Sequence, residues 1–303
     1  MSERSPIALA ALACAAVRGL EPVCTRPHPC PDWDIDAAVV EDDLSRSWIV
    51  RAPRSPGAAA RLDRETQLLT GLLGWLPFSV PEVSGSVRLP SGGCAVVHRT
   101  LTGNPLEPSE LAPGPGLAAA LGRALAAVHE LPERLVEDAG LPVYTAEEHR
   151  RRKLAELDRA AGTGFIPAGL LTRWEKAFEE AGAWRFVPCV VHGDLAAENV
   201  LVDDAEVLGI LDWGEARVGD PADDLAWIAA GADQDCLESV LEAYALGRRQ
   251  PPDRDLARRA RLAGELALAR WLLHGVAIDD PEVVRDARSM LTELDGVLLG
   301  EAW

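Results

Sequence analysis

The segment His192 to Asn199, with Asp212-Trp213-Gly214 behind it, constrains this chain more than any other feature. It reads His-Gly-Asp-Leu-Ala-Ala-Glu-Asn, so Asp194 stands five residues before Asn199. Val187 to Val191, headed by Pro188, predicts a short strand. Asn199 to Val202 predicts a second and Val207 to Leu211 a third, with Asp203-Asp204 as the turn between the last two. Asp194, Asn199 and Asp212 therefore fall at strand ends or in the loop between them. Such places fix the backbone while leaving side chains exposed.

The residue types suit one chemistry. Asp194 is the candidate catalytic base, a carboxylate that accepts a hydrogen bond from a hydroxyl and turns its oxygen towards a phosphorus atom. Asn199 offers a neutral amide oxygen and Asp212 a charged one, both hard ligands suited to Mg²⁺. This is the spacing of a kinase catalytic loop and its metal-binding strand, where positioning and charge neutralisation supply most of the catalysis. An isolated Asp-Trp-Gly would be read as a turn; the two halves together, in this order, are not. His192 is read as a packed loop anchor.

At these residues the chain resembles the aminoglycoside phosphotransferase family of antibiotic kinases, which share the protein-kinase fold. The resemblance rests on Val191-His192-Gly193-Asp194 through Asn199-Val200-Leu201-Val202-Asp203, on Asp212-Trp213, and on Gly219-Asp220-Pro221 with Asp224-Leu225-Ala226. Three further segments resemble the macrolide 2′-phosphotransferase branch: Trp48 to Arg54, Leu76-Pro77-Phe78-Ser79-Val80-Pro81, and Glu215-Ala216-Arg217-Val218. The likeness runs from about Trp33 to the C-terminus. It implies an α+β, bilobal, protein-kinase-like fold, with a small β-rich nucleotide-binding lobe over 1–104 and a larger, mostly helical catalytic and substrate-binding lobe over 105–303. It also implies transfer of the γ-phosphate of GTP, in preference to ATP, to the 2′-hydroxyl of a macrolide amino sugar, with Mg²⁺.

The departures matter as much. Protein kinases place a lysine on the third strand, but the two lysines here, Lys153 and Lys176, lie far beyond it. Arg51 occupies the expected position, keeping the charge and adding a planar fork for phosphate or carboxylate. Glu65, in the apolar-periodic segment Leu62 to Leu73, is its expected partner. No G-x-G-x-x-G occurs in the first fifty residues, so a loop from Pro31 to Ala37 is expected to cover the phosphates. Thr100 to Pro108 reads as the hinge, and the main chain of His98 to Thr100 is expected to meet the nucleotide base.

Elsewhere, Asp36 to Arg51 predicts two strands around the turn Glu41 to Ser47, and Val83 to Val87 and Cys94 to His98 two more. Ile7 to Val17 has the length of a signal h-region, but its alanine-rich composition predicts an N-terminal helix. Helices are predicted from Leu117 to Leu131, Ala146 to Ala160, Pro167 to Ala181, Asp223 to Ala230, Cys236 to Leu246, Asp255 to Val276 and Pro281 to Leu299. His129 is expected to cap carbonyls at a helix end. Asp220 and Asp224 are expected to hold the catalytic loop from behind through backbone amides. Trp227 and Trp271 are assigned to the core, with the lining of an apolar macrolide pocket as the other reading.

The formal net charge is −18, and residues 105–303 carry 37 acidic against 20 basic side chains. That balance disfavours nucleic acid and anionic membranes and suits a cationic small molecule, though solubility alone also explains it. No run reaches the roughly twenty apolar residues of a membrane helix. The six cysteines include no C-x-x-C pair and are read as reduced thiols of a cytoplasmic, monomeric protein. Two other readings stand beside the first: the same chemistry on an aminoglycoside or small metabolite, and a kinase-like binding module without catalysis. The intact Asp194, Asn199 and Asp212 count against the second.

Overall fold

The computed structural model describes residues 3–30 and 34–300, so Pro31, Asp32 and Trp33 of the expected phosphate-covering loop lie outside the described residues. In chain order the elements begin with α1 (Pro6–Ala16), β1 (Pro22–Pro27), β2 (Ile35–Asp42), β3 (Ser47–Pro53), α2 (Pro56–Leu72), β4 (Val83–Arg88), β5 (Cys94–Arg99) and β6 (Asn104–Pro105). They continue with α3 (Leu117–His129), α4 (Arg134–Asp138), α5 (Ala146–Ala161), α6 (Ala168–Glu179), β7 (Cys189–Val191), β8 (Val200–Asp203), β9 (Glu206–Ile210) and β10 (Arg217–Gly219). The last four are α7 (Ala222–Gly231), α8 (Gln234–Gly247), α9 (Leu256–Ala277) and α10 (Pro281–Gly300).

These elements form two compact units. The first comprises Met1–Glu107, Leu131–Pro142 and Glu198–Ala216; the second comprises Pro108–Glu130, Val143–Ala197 and Arg217–Trp303.

In the first unit, alternation along β3 builds the sheet. Trp48, Val50 and Ala52 point to one face, where they pack with Ala38, Val40, Ala95 and Val97 of neighbouring strands and with Leu9, Ala10 and Ala13 of α1. The other face meets α2, where Val96 of β5 packs with Ala58 and Leu62. The five strands are antiparallel in the order β1-β2-β3-β5-β4. A second small sheet, β6-β8-β9, carries the hairpin that ends beside Asp212. The helix expected over Ile7 to Val17 is α1, and it packs on the sheet. Strand β1 escapes the sequence reading because it starts and ends on proline and shows an almost wholly exposed pattern. As an edge strand it is held by its ladder to β2, not by apolar alternation. Helix α2 begins six residues earlier than expected, where the Ser55 hydroxyl caps Ala58 N at 3.2 Å and Pro56 stands in the first turn.

The second unit is mostly helical. A buried cluster there joins Leu157 of α5, Leu170, Trp174 and Phe178 of α6, Leu262, Leu266 and Leu272 of α9, and Ala287 and Leu291 of α10. Phe178 and Trp184 stack at 4.9 Å. Helices α3 and α8 lie close together because Gly122 presents no side chain to the α8 backbone; a Cβ there would fall 2.9 Å from Tyr244 N. Trp271 is not in the core: it is 39% exposed, stacks on His274, and donates from Nε1 to Asp286 at 3.0 Å. Trp227 is half-buried. Among the described residues no cysteine forms a disulfide, and no helix is long and apolar enough to cross a membrane.

Candidate active site

Four of the residues singled out above meet in the first unit. On α2 the buried positions Ala58, Ala59, Leu62, Glu65, Leu68, Leu69 and Leu72 recur at intervals of three and four. Glu65 thus lies within an apolar stripe, 3% exposed, where a carboxylate requires a cation. Arg51, on the face of β3 opposite Val50, donates from Nη1 to Glu65 Oε1 at 2.7 Å. Burial opposes the Arg51 charge, but the Glu65 carboxylate overrides it, with smaller help from Cys30 and Asp212, and raises the guanidinium above its ordinary range.

The β8–β9 hairpin fixes the other two. Leu211 N donates to Asn199 O at 2.8 Å, so Asn199 and Asp212 stand at neighbouring ends of the paired strands. Asp212 is left-handed, with φ 61° and ψ 65°, a conformation that a non-glycine residue keeps only when its surroundings enforce it. Beside it Trp213 is fully buried, and its Nε1 donates to Ile210 O at 3.0 Å, which ties the turn back to β9. Helix α2 packs against the short turn Trp213–Glu215. A Cβ at Gly214 would lie 3.8 Å from both Asp212 Oδ1 and Glu65 Oε2, so the glycine leaves the space between these carboxylates open.

His98 and Thr100 are committed to hydrogen bonds of their own. His98 is buried on β5, and its Nδ1 lies 2.9 Å from Arg99 O. Burial lowers the imidazole below its usual range, and the nearby Arg51 lowers it further, so it is neutral at pH 7. Thr100 is exposed; its N–H donates to Ser47 O at 3.0 Å, which commits that donor to the sheet.

Asp194 belongs to the second unit, exposed, directly after Gly193 at φ 88°. The fully buried Asp224 holds the chain just before it: Oδ2 accepts from His192 N at 2.8 Å and Oδ1 from Gly193 N at 2.7 Å. Burial alone would raise the Asp224 carboxyl, but the hydrogen bond from His129 and the loop amides lower it. His129 does not cap carbonyls: Nε2 lies 3.1 Å from Asp224 Oδ2 and Nδ1 lies 2.8 Å from Tyr244 Oη. Asp220 does not hold the loop amides either. It accepts from Ala222 N at 3.0 Å and pairs with Arg259 at 2.7 Å, at the start of α9. Sequence reasoning missed a third buried carboxylate, Asp223, which binds Arg217 and Lys153. The available signal was its place beside Asp224 in the first turn of α7.

Among the described residues, no group of three or more His, Cys, Asp or Glu side chains is arranged to hold a metal ion. Asn199 and Asp212 offer one amide oxygen and one carboxylate. Mg²⁺ is commonly bound through one or two carboxylates, with phosphate and water completing its shell. The donor set therefore fits Mg²⁺ that arrives with a nucleotide.

Comparison with known proteins places this geometry. Viomycin phosphotransferase of Streptomyces vinaceus is 31% identical over 217 residues, covering 64% of this chain and 70% of that protein. The crystal structure of macrolide 2′-phosphotransferase MphH from Brachybacterium faecium is 26% identical, covers 94% of this chain and 97% of its own, and superposes with a TM-score of 0.78. The GDP complex of aminoglycoside 2′-phosphotransferase-IIIa superposes with a TM-score of 0.80 over 97% of this chain and 99% of its own, at 19% identity, a likeness of fold alone. The kinase-like α+β fold is thus shared along nearly the whole sequence. Residues 31–262, which contain Arg51, Glu65, Asp194, Asn199 and Asp212, match a family whose description is that of a phosphotransferase, and the chain belongs to that Phosphotransferase enzyme family (APH).

Proposed function

We propose that this protein transfers the γ-phosphate of a nucleoside triphosphate, GTP in preference to ATP, to the 2′-hydroxyl of the amino sugar of a macrolide. The observation that carries the reading is the likeness to macrolide 2′-phosphotransferase MphH over 94% of this chain. Branch-like residues support it at three places: Trp48 to Arg54 on β3, Leu76 to Pro81 before β4, and Glu215 to Val218 at β10. The acidic excess of residues 105–303 suits a cationic acceptor.

In this reading Asp194 accepts a hydrogen bond from the sugar hydroxyl and orients its oxygen for attack. Asn199 and Asp212 would hold Mg²⁺, whose charge offsets that of the phosphates. Arg51, steadied by Glu65, grips the phosphates in place of the usual lysine. The main chain of His98 to Thr100 meets the base, except the Thr100 amide, which Ser47 occupies.

A second reading, the same transfer to a different antibiotic alcohol, is favoured by the 31% identity to viomycin phosphotransferase. One experiment separates them. The protein is incubated with Mg²⁺, GTP or ATP, and separately with erythromycin, kanamycin or viomycin, and each acceptor is examined by mass spectrometry. A single added phosphate on erythromycin is expected, faster with GTP. Phosphate on viomycin or kanamycin alone replaces the macrolide as substrate, and faster transfer from ATP reverses the donor preference.

A further inference from the structure

Three peptide planes lead into Asp194, and the second unit grips all of them. The N–H groups of His192 and Gly193 are taken by Asp224. The carbonyl of Gly193 belongs to the next plane, the one that also carries the Asp194 N–H. It accepts from Arg217 Nη2 at 3.1 Å. Because the peptide unit is planar, holding that oxygen fixes the direction in which the Asp194 backbone departs. The plane needs a hold: Gly193, at φ 88°, has the conformational freedom to let it rotate.

The fold places Arg217 for this contact. Strands β7 and β10 pair so that Arg217 stands opposite Val191, two residues before Gly193. The arginine stem runs beside Gly219, where a Cβ would lie 3.6 Å from Arg217 Nε, at ordinary contact distance. The guanidinium is itself anchored: Nη2 also donates to Asp223 Oδ2 at 2.5 Å. Asp223 in turn takes Lys153 Nζ of α5 at 2.9 Å, with His149 Nε2 at 3.8 Å. Neighbouring residues on a helix point about 100° apart, which lets Asp223 serve the carbonyl side of the loop while Asp224 serves its amide side. Burial opposes the Asp223 charge, but Lys153, Arg217 and His149 hold its carboxyl well below the usual range. Arg217 therefore has a fixed, ionised counter-charge.

We propose that Arg217 is a positioning residue for Asp194: braced by Asp223 and Lys153, it locks the Gly193–Asp194 peptide and so sets the direction of the Asp194 carboxylate. This rests on the reading of Asp194 as the base. It assigns a role in turnover to an arginine that touches neither nucleotide nor acceptor in that reading.

The test compares wild type, Arg217→Met, Arg217→Lys, Asp194→Asn and the double variant Arg217→Met/Asp194→Asn in phosphate transfer, with rates expressed per folded molecule. Arg217→Met is expected to lower kcat by about 10- to 100-fold, the scale of a small misplacement of a reacting group, with nucleotide KM unchanged. Arg217→Lys restores part of the rate, since an ammonium can still donate to the Gly193 carbonyl. In the Asp194→Asn background the same Met substitution costs less than about twofold, because two residues acting through one step are not additive. Wild-type kcat in Arg217→Met overturns the proposal, and so does full multiplication of the two losses in the double variant. Turnover retained in Asp194→Asn instead refutes the base reading, and the positioning role with it. If Arg217→Met does not fold, Arg217→Gln takes its place in the same cycle.

Discussion

Replacing Arg51 by alanine strands a carboxylate, and the structure sets the size of the effect. Glu65 is 3% exposed within the apolar stripe of α2 and pairs with Arg51 at 2.7 Å. Without that partner Glu65 has two courses. It can stay ionised, at about 3–5 kcal/mol for an uncompensated buried charge. Or it can take up a proton, which at pH 7 costs about 1.36 kcal/mol for each unit above the unfolded value near 4.3, roughly 3.7 kcal/mol in all. The cheaper course governs, so Arg51→Ala is expected to lose about 3–4 kcal/mol at pH 7. At pH 5 protonation costs only about 1 kcal/mol, so the deficit shrinks by about 2–3 kcal/mol. The sign follows from linkage. Only the folded variant is penalised for the charge of the stranded carboxylate, so its deficit is smallest at low pH and grows as pH rises. Urea denaturation of wild type and Arg51→Ala at pH 5, 6 and 7 measures this, and Arg51→Ala/Glu65→Gln should show little of the pH dependence. A deficit below about 1 kcal/mol that does not change with pH would refute the claim that Arg51 neutralises a buried carboxylate. Catalysis gives a separate reading on the same residue: Arg51→Ala should raise nucleotide KM and lower kcat, and Arg51→Lys should recover part of both.

Further outcomes follow from the rest of the site. Asp194→Asn should lower turnover by about two orders of magnitude or more while nucleotide still binds, and near-normal turnover would remove Asp194 from the mechanism. Asp212→Ala should nearly abolish transfer and weaken Mg²⁺-dependent nucleotide binding; an unchanged Mg²⁺ titration would place the metal elsewhere. Burial holds the His98 and His149 imidazoles below their usual range, so the stability each contributes is present above about pH 6.5 and lost as pH falls through its folded-state value. Denaturation midpoints should therefore drop from pH 7.5 to 5.5, and drop less in His98→Asn/His149→Asn; equal drops in both proteins would contradict the assignment.

Much of this molecule was legible in the sequence because it is local. The interval from Asp194 to Asn199, the apolar runs around Asp212 and the Asp203-Asp204 turn specify a hairpin, and β8 and β9 form it within a residue or so of the expected bounds. The pairing of Arg51 with Glu65 was readable for a related reason: strand period and helix period each point one side chain at the same layer. The supports of the catalytic loop were readable only in part. Asp224 takes the loop amides, as expected, but Asp220 turns to Arg259, thirty-nine residues on, and His129 to Tyr244 on another helix. The place of Asp223 beside Asp224 was the one local signal there; that Lys153 is its partner was not legible, since the contact spans seventy residues of chain. The sequence by itself determined the candidate groups for the chemistry and the strands beside them, because periodicity and turn residues act over a few positions. The tertiary structure alone decided which buried charges neutralise one another: a carboxylate removed from water is satisfied by whichever cation the packing of distant helices brings within about 3 Å.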